Sequence, residues 1–207
     1  MLHNIIGIFE DTTPTKLAKD LLVLSHLMAL AVGLGTVLLT DLHILRRAFR
    51  PLQDDDTLLI NRAHKIITVA LWGLWITGLG LFYLKTNGDL AAASPKLWAK
   101  LSTVILLTVT AMAMARVAVP VINTLVGRRL IDLGLGKKLM LASFAAMSAA
   151  GWLTALLLGG AEFSRSADYT ALGVILAGSF GLAQLFGKGL VLVTHFITPR
   201  HHNQAAL

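Results

Sequence analysis

Ionisable side chains are scarce in the apolar parts of this sequence, and their types limit the chemistry open to it. His26 stands in "LLVLSHLMALAV", Asp41 and His43 close the same apolar run in "LLTDLHILRR", His64 opens the next in "INRAHKIITV", and His195 closes the last in "VLVTHFI". Lys100 lies in "KLWAKLSTV" and Arg116 in "AMAMARVAV". There is no cysteine, so thiolate ligands and thiol nucleophiles are excluded, and imidazole, carboxylate and thioether groups remain. An ionisable group at membrane depth costs on the order of 2.5–3.5 kcal/mol and is by default a functional candidate. Neutral imidazoles facing one another across helices suit haem iron, with a macrocycle packed on small and aromatic residues and its propionates near cations. His43, His64 and His195 are the candidate iron ligands, with Asp41 and Arg116 beside them. Each histidine also suits an interfacial hydrogen-bonded role, and Lys100 can snorkel to the headgroups.

The elements that must position these residues follow from composition. Hydrophobic residues make up 56% of the chain and charged residues 14%, with a mean hydropathy of +0.73. Such values belong to a multi-span membrane protein rather than a soluble domain. Long apolar runs predict spans near 21–43, 66–84, 97–118, 139–160 and 170–197. All are expected to be helices, because hydrocarbon satisfies no exposed backbone group. The expected fold is an all-α integral membrane bundle of about five transmembrane helices in a single domain. The amino-terminal "MLHNIIGIFEDTTPTK" has no basic region ahead of a long apolar stretch and reads as a short interfacial segment.

Orientation follows from the basic residues. Lys16, Lys19, Lys85, Lys96, Lys100 and Arg165 fall on one side of the predicted spans, and the other twelve of the eighteen Lys and Arg residues on the opposite side. The positive-inside rule places the richer side in the cytoplasm, giving an outside amino terminus and a cytoplasmic carboxyl terminus. The net charge of +7 then reflects this basic side, with anionic lipid headgroups rather than nucleic acid as partners. "LQDDDTLL" reads as an exposed acidic loop, because consecutive carboxylates point apart. His201 and His202 follow Pro199 in a polar tail and read as solvated.

Two depths emerge. His43, His64 and His195 are expected at the inner level, with Asp41 and Arg116, while His26, Lys100 and Tyr83 lie near the outer ends. His26 and His43 are seventeen residues apart, about 25 Å along a helix, so the levels form separate sites. On the last span Gly181, Gln184, Lys188 and His195 share a face, and Trp75 and Phe82 share that of His64.

"LLVLSHLMALAVGLGTVLLTDLHILRR", "INRAHKIITVALWGLWITGLGLFYL" and "SPKLWAKLSTVILLTVTAMAMAR" together resemble the first three helices of small bacterial membrane families, which include the HemJ-type protoporphyrinogen oxidases and copper-resistance-D-like proteins. The resemblance covers residues 20–118. It implies a bound b-type haem and assigns catalytic roles to His26, the first-helix histidine, and Lys100, the lysine that opens the third helix after Trp98. It departs from the pattern at Arg116, where a histidine is expected, and does not extend to the last two spans.

Three functions are compatible with this sequence. The leading one is a haem-b-binding membrane redox protein, acting in electron transfer or tetrapyrrole oxidation. A metal-ion or proton transporter lined by Asp41, His43, Gln184 and Lys188 is the second. An accessory subunit packed by its glycines into a homo-oligomer or larger membrane complex is the third.

Overall fold

The computed structural model describes residues 13–161 and 167–197 and is all-helical over them, with no strand beyond two isolated bridges. The amino-terminal segment, the segment around 162–166 and the tail with His201 and His202 lie outside the described residues. Five helices are long and apolar enough to cross a membrane: α1 Pro14–Arg47, α2 Asp54–Thr86, α3 Pro95–Asn123, α4 Leu135–Gly160 and α5 Tyr169–Ile197. Every predicted span falls on one of them. The helices run past the apolar runs, most of all at α2, which begins twelve residues before the predicted start.

The ends are set by local chemistry. Pro14 and Pro95 occupy first-turn positions, where a missing N–H costs nothing. Asn87 closes α2 in the left-handed conformation, its N–H donating to Tyr83 O at 2.8 Å. Pro120 has no N–H for the carbonyl of Arg116, and α3 answers with a π turn over Met114–Ala118, in which Val119 N–H bonds Met114 O. Along the helices the hydroxyls of Thr36, Thr68, Thr77, Thr103 and Thr110 donate to the carbonyl four residues earlier, leaving few bare donors for hydrocarbon.

Close approach at small residues sets the packing. α1 and α2 run antiparallel, with Gly73 against Ala29, Gly78 against the His26 ring and Gly80 against Leu22. α4 occupies the centre, in contact with α1, α3 and α5. A Cβ at Gly33 of α1 would overlap the Trp152 ring of α4, and one at Gly151 would meet Leu107 of α3. Trp152 is only 1% exposed and joins Leu30, Val37, Leu71, Leu74 and Leu107 in the main core. α5 lies at the edge and keeps Leu182, Leu185, Phe186 and Phe196 exposed, as a lipid-facing helix should.

At the end where α1 stops, the α1–α2 and α3–α4 loops are zipped together. Leu52 N–H donates to Arg128 O at 3.0 Å, Gly127 N–H to Leu52 O at 2.8 Å, and Ile131 N–H to Ala48 O at 3.2 Å. Leu52 is 1% exposed and packs with Ile60, Ile122 and Leu125 as a second core. This end is called the His43 end below, and the opposite one the Lys100 end.

Candidate functional sites

At the His43 end one carboxylate gathers several donors. Asp56, at the start of α2, accepts from His43 Nε2 at 2.7 Å, from Arg47 Nε and Nη2 at 3.0 and 2.7 Å, and from the backbone N–H of Gln53 at 2.8 Å. The Asp56 side chain is 5% exposed. A fork-on guanidinium fixes it as an ionised acceptor, so His43 donates through Nε2. The acidic run is therefore not uniformly solvated. Successive residues of a helix point about 100° apart, so Asp54 and Asp55 face outward while Asp56 turns onto α1.

The carboxylate that orients an imidazole here is Asp56, not Asp41. Asp41 is half-buried on α1 and makes no hydrogen bond or ion pair among the described residues. His43 has its Nε2 committed to Asp56. His64 sits ten residues into α2 rather than at its start, and the α1–α2 register places it about five residues, roughly 7 Å, deeper than His43. It lines a void of about 10 Å³ with Ile67, Leu107, Met114, Ser148 and Trp152, room for no more than a single water. His195, at the far end of α5, places Nδ1 3.1 Å from Lys138 Nζ of α4, and that ammonium also donates to Ile131 O. Arg116 is exposed in the π turn of α3. The three histidines thus have separate surroundings. Among the described residues no cluster of three or more His, Cys, Asp or Glu could hold a bare metal ion.

His26 is built differently. It lies on the α1 face that also carries Leu30, Gly33 and Val37. Its Nδ1 lies 2.8 Å from Thr77 Oγ1, and that hydroxyl is 2.6 Å from Gly73 O. A hydroxyl has one hydrogen and Thr77 donates it to the carbonyl, so the imidazole must donate through Nδ1–H. The neutral ring then carries its lone pair on Nε2. A metal-ligating histidine is held in the same way, with the non-ligating nitrogen donating to a fixed acceptor.

Lys100 of α3 is close enough for its charge to act on His26, and Lys85 and Lys96 act in turn on Lys100. Taking the α2–α3 register from the Trp75 Nε1 to Thr108 Oγ1 bond of 2.9 Å, Lys100 lies about six residues, roughly 9 Å, nearer the helix ends than His26. This end therefore gathers an imidazole whose Nδ1 is committed to Thr77 and three ammonium groups nearer the helix ends.

On α5, Gln184 Nε2 donates to Ser143 O at 2.9 Å. The glycine in close helix contact is Gly187, against Ala142 and Ala146, while Gly181 has nothing near its missing Cβ. Thr77, Asp56, Arg47 and Lys138 were not singled out by the sequence. Thr77 could have been found as the residue opposite His26 once α1 and α2 are paired, whereas the others depend on helix starts that polar sequence hides. Comparison with family models, characterised proteins and solved structures found no match.

Proposed function

We propose that the chain is a haem-b-binding redox protein of the bacterial inner membrane, acting in electron transfer or tetrapyrrole oxidation, with its carboxyl terminus in the cytoplasm. The observation that carries this reading is the hydrogen-bond chain from His26 Nδ1 through Thr77 Oγ1 to Gly73 O, which commits Nδ1 and leaves Nε2 as the coordinating atom. His26 would hold the iron, and Lys85, Lys96 and Lys100 would receive the propionates. The bound haem would supply one-electron chemistry, and the protein its ligation, orientation and dielectric. His43 and His195 act in this reading as structural ties of the other end.

The test is an absorption spectrum of protein purified after expression with ample haem. A reducible Soret and α band is expected, lost in His26→Ala and shifted in Thr77→Val, with His43→Ala retaining it. A colourless wild type, or a spectrum untouched by His26→Ala, overturns the reading. Asp41, half-buried with no partner among the described residues, favours proton or metal-ion transport as the alternative. Colourless protein whose proton flux in vesicles is lost in Asp41→Asn would establish that function instead.

A further inference from the structure

We propose that the crevice between the two zipped loops at the His43 end is a binding site for a phosphate group, independent of any haem. The crevice is open to the surface and offers about 450 Å³, with Phe49, Arg50 and Pro51 from one loop and Gly127, Arg128 and Arg129 from the other, beside Asp132. Its walls are fixed by the backbone bonds of Leu52 with Arg128 and Gly127, by Ile131 N–H to Ala48 O, and by Arg50 N–H to Arg47 O at 2.9 Å. The turn at Gly127 has φ +76°, a conformation that a side chain would strain.

The three arginines are not equivalent. Arg129 is spanned by Asp132, with Nε to Oδ2 at 2.9 Å and Nη2 to Oδ1 at 3.0 Å. Arg50 and Arg128 make no side-chain hydrogen bond or ion pair among the described residues. Two guanidinium groups with no carboxylate partner line one crevice from its two loops, and an anion placed between them would be attracted to both. The planar fork of arginine matches phosphate oxygens bidentately. The phosphate could belong to a phospholipid headgroup or to a soluble phosphate. Phe49, at the rim, is 54% exposed.

The test uses the full chain in nanodiscs of phosphatidylcholine with phosphatidylglycerol, with lipid retention read by native mass spectrometry, and titration with inorganic phosphate in detergent at constant ionic strength. Arg50→Gln and Arg128→Gln are each expected to weaken binding about tenfold. Arg46→Gln, outside the crevice, should leave it unchanged. Asp132→Asn releases Arg129 and should tighten binding several-fold, a gain that misfolding cannot imitate. Selective retention of phosphatidylglycerol that inorganic phosphate does not displace identifies a headgroup site. Saturable phosphate binding that displaces the lipid identifies a soluble ligand. The proposal is overturned if neither probe responds to Arg50 and Arg128, or if Arg46→Gln weakens binding as much as they do.

Discussion

At Asp56, one residue ties the loop end of α1 to the first turn of α2, and its removal has a definite cost. Asp56→Ala would leave Arg47 and His43, both partly exposed, without their shared acceptor, and a loss of about 1–2 kcal/mol is expected in unfolding measured in detergent. Asp56→Asn keeps an acceptor oxygen and should lose less. If the two variants match wild type, the carboxylate is not the hub its bonds describe. Sequence showed a run of three carboxylates but could not show which one faces inward, because that choice is made by the phase of a helix whose first turns are polar. It did show that an imidazole at this end wants a carboxylate, and the nearer candidate in sequence was Asp41. A second test concerns Thr154, whose hydroxyl is buried without a hydrogen-bond partner among the described residues. Thr154→Val keeps the shape and removes an unsatisfied polar group, so it should be neutral or stabilising by up to about 1 kcal/mol in the same assay. A clear destabilisation would mean that something bonds this hydroxyl.

At the scale of the helices, the five spans were legible because hydrocarbon length demands long apolar runs, and no other element satisfies the backbone there. Their true ends were less legible. The first three turns of α2 contain Asp54, Asp55, Asn61 and Arg62, so hydropathy starts the helix too late and puts His64 at its mouth instead of ten residues inside. The π turn of α3 was also unforeseen, although Pro120 was its visible cause. Glycine density announced close packing without saying which glycines pack. Gly33 meets Trp152, whereas Gly35, two residues on, has nothing within 4 Å of its missing Cβ. Gly33→Ala should therefore cost about 1–3 kcal/mol, and Gly35→Ala nothing or a slight gain from helix propensity. Pairing Gly33→Ala with Trp152→Leu should recover part of the loss, a coupling that a thermal-stability cycle reads directly. Equal effects at both glycines would contradict the placement of α4 against α1.

On the scale of the whole molecule, five antiparallel passes put Pro14 and Ile197 at opposite ends of the bundle, and the basic residues divide unequally between those ends. The His43 half carries Arg46, Arg47, Arg50, Arg62, Lys65, Arg116, Arg128, Arg129, Lys137, Lys138 and Lys188 on described residues, and the Lys100 half has Lys16, Lys19, Lys85, Lys96 and Lys100. Short loops rich in Lys and Arg are retained on the cytoplasmic side, and the zipped loops here are short, so we propose that the His43 end faces the cytoplasm. The alternative orientation would set the arginine crevice outside and the lysines near His26 within, reversing the access of both proposed sites. Because the chain has no cysteine, single introduced thiols can report the side without background. Leu90→Cys places one in the exposed loop between α2 and α3, and Asp55→Cys places one on the exposed face at the start of α2. A membrane-impermeant maleimide applied to intact spheroplasts is expected to label Leu90→Cys at once and Asp55→Cys only after the membrane is opened. The reverse pattern would invert the molecule. Labelling of both before opening would mean that the two loops share a side, which five helices crossing in the order α1 to α5 cannot produce.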